Sequence, residues 1–120
     1  PMRRDYADKV FIITSGENMA IHAAANIATA VENFRERDYA ELGGLILNRR
    51  GVKREEEKVG ELAKDIHTPV VGALDFSETV QEAEELHKTV IEAFPESEIA
   101  TQYRTLAEAV LAACGKELLC

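Results

Sequence analysis

"KVFIITSGENMAIHAAANI", Lys9 to Ile27, decides the fold class. Its first six residues, Lys9 to Thr14, are an apolar, β-branched run of strand length. Small residues then make a turn. The alanines and isoleucines that follow recur at spacings of three and four, the period of a helix with one buried side. A strand that runs through a small-residue turn into a helix is the entry geometry of many nucleotide-binding α/β proteins. Ser15 is placed to cap that helix and Glu17 to put negative charge in its first turn. Ala20, Ala24, Ile27, Ala28, Val31 and Phe34 form its expected core stripe.

The same alternation continues outward. "RERDYAE" ends the first helix, and "LGGLILN", Leu42 to Asn48, is the second strand, its paired glycines predicting close approach of a neighbouring element. The charged loop "RRGVKREEEK" leads into a helix over Arg54 to Ile66 with Val59, Leu62, Ala63 and Ile66 inward. "PVVGAL" opens on Pro69, where a strand tolerates a missing N–H, and is the third strand. Asp75 to Ser77 is a turn. A helix starts near Glu78 with Val80, Ala83 and Leu86 inward, and Pro95 breaks the chain. The last helix spans Glu98 to Cys114, with Ile99, Tyr103, Leu106, Val110 and Leu111 on one face and Gly115 as its C-cap, ahead of the tail "GKELLC".

Strands alternating with helices predict βαβ units. The expectation is one α/β domain over residues 1–120, a three-layer, mainly parallel sheet with helices on both faces laid down by right-handed crossovers. Three strands and four helices make a thin layer, so the sheet is expected to want more strands. "KVFIIT" carries no proline or inward charge to protect a free edge, so the chain alone is expected to self-associate there. The opening "PMRRDY" holds no clean element start, which predicts that the chain is part of a longer one.

Fourteen basic against 22 acidic residues leave a net charge of −8, which argues against a nucleic-acid backbone or an anionic membrane as partner. No apolar run approaches the roughly 18 residues of a membrane span, and the first residues contain no signal-peptide core. The cytoplasm is the expected compartment. Cys114 and Cys120 match no common metal or disulfide spacing, which suits a reducing compartment.

A phosphate-binding loop needs G-x-x-x-x-G-K-[ST], so that backbone N–H groups and a lysine surround the phosphates. The string is absent, and Gly43, Gly44 and Gly51 lack the lysine and hydroxyl at the required offsets. Phosphate transfer by this chain alone is therefore not expected. His22, His67 and His87 fall on different predicted elements with no second ligand at helical spacing, and read as solvated or capping histidines. Ser15 and Ser77 read better as helix caps than as nucleophiles. The runs Glu55-Glu56-Glu57 and Glu82, Glu84, Glu85 read as solvated helix faces. Asn48 is different, because it stands at the C-terminal end of a parallel strand, where α/β proteins bind ligands. Its amide has a donor and an acceptor and can pair with the N6/N7 edge of adenine. Position alone leaves that role level with a second one, capping the loop to Gly51.

"YADKVFIITSGENMAIHAAANI", "LGGLILNRR" and "VQEAEELHKTVIEAFPESEIATQYRTLA", in this order and spacing, resemble the C-terminal half of nitrogenase iron proteins and their nitrogenase-like reductase relatives. The likeness covers nearly the whole chain. It implies the C-terminal half of a P-loop NTPase-type fold, with the P-loop and both cluster-ligand cysteines upstream of the position matching Pro1. It further implies a homodimer that binds MgATP in each subunit, holds one [4Fe-4S] cluster between subunits and passes an electron to a catalytic partner as ATP is hydrolysed. No tightly bound cofactor is expected on this chain alone, and neither nucleic acid nor membrane is an expected partner.

By the resemblance Asn48 contacts the adenine, and Leu74, Asp75 and Phe76 form the loop against the base, with Asp-Phe-Ser where the family has Pro-Arg-Asp. Gln81 and Tyr103 match residues near the nucleotide, and Glu17 matches one facing the other subunit's nucleotide. Cys114 and Cys120 match neither cluster ligand. The rival expectation, from another class, is a standalone α/β nucleotide-binding or scaffold module without catalysis.

Overall fold

The β-branched runs become strands and the period-3.6 stretches become helices. The computed structural model describes residues 9–35 and 41–115. In chain order these form β1 (Lys9–Thr14), α1 (Asn18–Arg35), β2 (Glu41–Asn48), α2 (Glu55–Asp65), β3 (Val70–Leu74), α3 (Glu78–Glu85), α4 (Val90–Ala93) and α5 (Glu98–Ala113). The readings that fall on "PMRRDY", "ERDY" and Cys120 lie outside the described residues, as do the side chains of Phe34 and Arg35.

The three strands pair in parallel in the order β1-β2-β3. Ile12, Leu45 and Leu47 on one face pack against Ala24 and Ala28 of α1 and Val59, Leu62 and Ala63 of α2. Both crossover helices therefore share a face, where the sequence reading spread them over two. The cause is the strand order: crossovers of one hand stepping in one direction across a sheet deposit successive helices on the same side. On the opposite face α5 packs over β3, and Ile13 of β1 stays exposed. Ala73 packs with the first core, so Gly72 points the other way, where a Cβ would stand 2.7 Å from Leu106 Cδ1. The three-layer α/β architecture follows from this placement. A smaller apolar cluster, Ala83, Val90, Ile99 and Ala100, joins α3, α4 and α5.

The paired glycines do what their small size allows. Val10 pairs with Leu42 and Phe11 with Gly44, so the β1–β2 register skips Gly43, and the β2–β3 register shifts between Leu45 and Ile46, just past Gly44. A Cβ on Gly43 would lie 2.7 Å from Phe11 Cζ, and one on Gly44 would lie 2.6 Å from Val71 Cγ1 and 3.2 Å from the Pro69 carbonyl. Both neighbouring strands close onto β2 at this point.

Several inward assignments change. Along α1 the buried arc runs through Ile21, Ala24, Ala25, Ala28 and Val31, which leaves Ile27 on its flank, 47% exposed. Leu86 is 55% exposed because α3 stops at Glu85 and the predicted single helix is cut in two. The cut is a Schellman turn: His87 has φ 56°, its N–H bonds the Glu84 carbonyl, and the Lys88 N–H bonds the Ala83 carbonyl. His67 ends α2 in the same way, with φ 55° and the paired bonds to the Lys64 and Ala63 carbonyls. Two of the three histidines are thus helix-ending residues. Tyr103 lies 36% exposed on α5, since that helix sits on β3, an edge strand, and only part of its apolar face has a strand beneath it.

Candidate functional site

Parallel strands all point their C-terminal ends the same way, and the turns that leave them gather at one rim. Here the rim holds Ser15-Gly16-Glu17 after β1, Asn48-Arg49-Arg50-Gly51 after β2 and Asp75-Phe76 after β3. A cleft of about 420 Å³ lined by Ala28, Glu32, Glu41, Leu42 and His67 lies at the other end, where β2 begins.

Asn48 pairs in register with Leu74, and the next N–H, that of Arg49, donates to the Leu74 carbonyl at 2.9 Å. The Asn48 side chain is half-buried, and its amide has no hydrogen-bond partner among the described residues. The loop-capping alternative leaves no contact here. What ties the loop is Arg49, whose Nη1 donates to Asp75 Oδ1 at 2.7 Å and whose Nε and Nη2 donate to Glu56 Oε1 at 3.1 and 2.9 Å. Asp75 is held again from α5: Gln102 Nε2 donates to Asp75 Oδ2 and Gln102 Oε1 accepts from the Asp75 N–H, both at 2.8 Å. The Gln102 amide, and after it the Arg49 guanidinium, hold the Asp75 carboxyl below the usual carboxylate range. Glu56 in turn holds Arg49 above its ordinary value.

Phe76 projects beyond this clamp, 57% exposed, with Arg50 Cζ 5.8 Å from its ring centroid. Arg50 Nε also lies 3.6 Å from Glu17 Oε1. Five of the seven candidate residues, Glu17, Asn48, Leu74, Asp75 and Phe76, therefore meet on one rim. Gln81 on α3 and Tyr103 on α5 are both exposed, and no bond among the described residues links either to it.

Three sequence readings are corrected here. Ser15 is buried and does not cap α1: its Oγ accepts the Glu17 N–H at 3.3 Å and donates to Glu17 Oε1 at 3.2 Å, one turn ahead of the helix. The Glu17 carbonyl itself accepts from Ile21, so Glu17 precedes the first turn rather than charging it. The run 55–57 is not one solvated face. Glu56 clamps Arg49 and Glu57 pairs with Arg54 at 2.7 Å, but Glu55 is buried, 7% exposed. Its carboxylate accepts the Gly16 N–H at 2.7 Å, the Arg50 N–H at 3.0 and 3.2 Å and the Gly51 N–H at 3.3 Å. Ser77 Oγ caps α3 as expected by accepting from the Thr79 N–H, whereas the C-cap of α5 is Cys114, one residue before the expected Gly115, which follows it with φ 74°.

The rim suits a heteroaromatic base: an open amide with donor and acceptor, and an aromatic ring free to stack. It does not suit an iron–sulfur cluster. Among the described residues no three His, Cys, Asp or Glu side chains converge, and Cys114 sits at the C-cap of α5.

The nitrogenase iron protein 2 of Methanothermobacter thermautotrophicus is 48% identical over 108 residues, covering 90% of this chain and 39% of that protein. The nitrogenase iron protein of Methanospirillum hungatei is 37% identical over 113 residues, with 92% and 40% covered. The chain spans about two fifths of the length of the curated relatives it matches. Among solved structures, the septum site-determining protein MinD of Pyrococcus horikoshii, complexed with Mg-ADP, superposes with a TM-score of 0.71 at 20% identity, covering 91% of this chain and 43% of that one. A ParA family ATPase from Chlorobium tepidum gives 0.68 at 18%, with 88% and 42% covered. At those identities the likeness shows the fold alone, and the chain spans about two fifths of each of those structures. The model described as 4Fe-4S iron sulfur cluster binding proteins, NifH/frxC family, matches residues 1–118, and the chain belongs to that family.

Proposed function

We propose that this chain is the C-terminal portion of an ATP-dependent iron–sulfur electron-transfer reductase component and supplies the adenine side of its nucleotide site. Family membership and the ATPase fold support the general role. The observation that carries the adenine assignment is the unpartnered Asn48 amide at the C-terminal end of β2, beside the Leu74 to Phe76 segment. In this reading Asn48 pairs with the base edge, Phe76 stacks on its face, and Arg49, Asp75 and Gln102 hold the loop in place. Glu17 faces the nucleotide of a second subunit, and Gln81 and Tyr103 come to the base only as α3 and α5 approach it. MgATP, the [4Fe-4S] cluster, the homodimer and the catalytic partner belong to the complete polypeptide, whose compartment is the cytoplasm.

Calorimetric titration of the chain with ADP tests the assignment. Asn48→Ala removes a two-point base contact worth about 1–3 kcal/mol, so affinity falls roughly 5- to 150-fold. Phe76→Ala loses stacking of similar size, about 1–3 kcal/mol. Equal affinity in wild type and Asn48→Ala, or no binding by either, overturns it.

A further inference from the structure

We infer that Glu55 is a positioning residue that fixes the Ser15-Gly16-Glu17 turn in register with the Asn48 loop, so that a base bound at Asn48 is felt at Glu17. This rests on the adenine reading above. The two segments leave different strands, 32 positions apart in sequence from Gly16 to Asn48, and their own contact is the loose Arg50 to Glu17 pair at 3.6 Å. Glu55 supplies the tight one. One oxygen, Oε2, takes the Gly16 N–H at 2.7 Å and the Arg50 N–H at 3.2 Å, while Oε1 takes Arg50 at 3.0 Å and Gly51 at 3.3 Å.

Burial stiffens the arrangement, because a carboxylate only 7% exposed has little water to replace a displaced N–H and is costly to orphan. Contact is also close in the steric sense. A Cβ on Gly16 would stand 2.5 Å from Glu55 Cγ and 2.8 Å from its Cα, and the Cα, being backbone of α2, has no rotamer by which to retreat. Movement of Arg50 and Gly51 when a base docks against Asn48 therefore pulls on the same carboxylate that holds Gly16, and Glu17 is the next residue.

The experiment follows backbone amide resonances of the 120-residue chain during an ADP titration, with amide exchange measured alongside. In wild type Gly16 and Glu17 shift with the same midpoint as Asn48. Glu55→Gln replaces one acceptor by an NH2 that faces N–H donors, so Gly16 exchange accelerates roughly ten- to a hundredfold. The Asn48 shift then persists while Gly16 and Glu17 no longer follow it. Glu57→Gln, on the exposed side of α2, leaves all three coupled. Should Glu55→Gln fail to fold, Glu55→Asp keeps the charge, draws the carboxylate back by one methylene and gives the same uncoupling. Gly16 standing still in wild type while Asn48 moves, or moving in Glu55→Gln as it does in wild type, overturns the coupling and leaves the adenine reading intact. Absence of any shift at Asn48 overturns the adenine reading, and the coupling with it.

Discussion

His67 and His87 hold backbone conformations that a side chain pays for, and replacing both with glycine stabilises the chain. Their φ angles, 55° and 56°, lie in the left-handed region, at the C′ positions of two Schellman turns. An L-residue there costs about 1 kcal/mol, whereas glycine, with no Cβ, enters freely. Glycine's greater freedom in the unfolded chain takes back about 0.5 kcal/mol, which leaves about 0.5 kcal/mol of stabilisation per site and about 1 for both. Both side chains are exposed, so little packing is lost. For a 120-residue domain at about 4 °C per kcal/mol, the double variant melts about 4 °C higher. Thermal unfolding followed by circular dichroism reads this directly. His22→Gly is the control: it lies inside α1 at helical geometry, where glycine costs about 0.4 kcal/mol more than histidine. Destabilisation at His67 and His87 as well, or a Tm that rises with added zinc in wild type alone, would refute the capping account and return these side chains to ligand chemistry.

Three further outcomes follow from burial and charge. The Asp75 carboxyl, depressed below its ordinary 3.8 by Gln102 and then Arg49, stabilises the loop above that pH and loses its contribution as pH falls through the folded value; Gln102→Ala and Arg49→Gln each move its NMR midpoint up, and an unmoved midpoint denies the clamp. Leu45→Ala, at a fully buried position, costs about 3–5 kcal/mol in urea unfolding, whereas Ile13→Ala, 62% exposed, costs about 0.5 or less, and similar costs for the two would show that the free face of β1 is packed in solution. β1 is an edge strand with Ile13 beside it on the bare face, so light scattering shows mass rising with concentration in wild type and not in Ile13→Lys; a wild type that stays monomeric rejects the open edge.

Local signals carried most of the fold. Three β-branched runs, helical spacings and the cap at Ser77 each depend on residues within a few positions of one another, and each element appears where its signal stands. Errors arose where burial is decided by what lies across space. Ile27 fits a helical stripe in sequence but sits on its flank, because the sheet's position selects the arc through Ala24, Ala28 and Val31. The helix expected through Leu86 carries no Gly or Pro to announce its end, so a histidine taking the C′ role was invisible to a search for breakers.

The rim divides along the same line. Asn48 was legible because strand end and residue type are both local facts, and Leu74 to Phe76 followed from the next strand's end. Glu55 was not, since within the run Glu55-Glu56-Glu57 all three residues look alike and only the fold separates them. A helix turns about 100° per residue, so three consecutive glutamates must point three ways. One meets Arg54, one meets Arg49, and one is carried under the β1 turn to the N–H groups of Gly16, Arg50 and Gly51. The signal that could have found it lies in its surroundings: glycines at 16 and 51 leave N–H groups without bulk beside them, and an acidic residue in the first turn of the helix that faces both can accept from them. A buried carboxylate matched to three backbone donors is specified jointly by two loops and a helix, and for that reason it reports their relative position, which no single stretch of this sequence encodes.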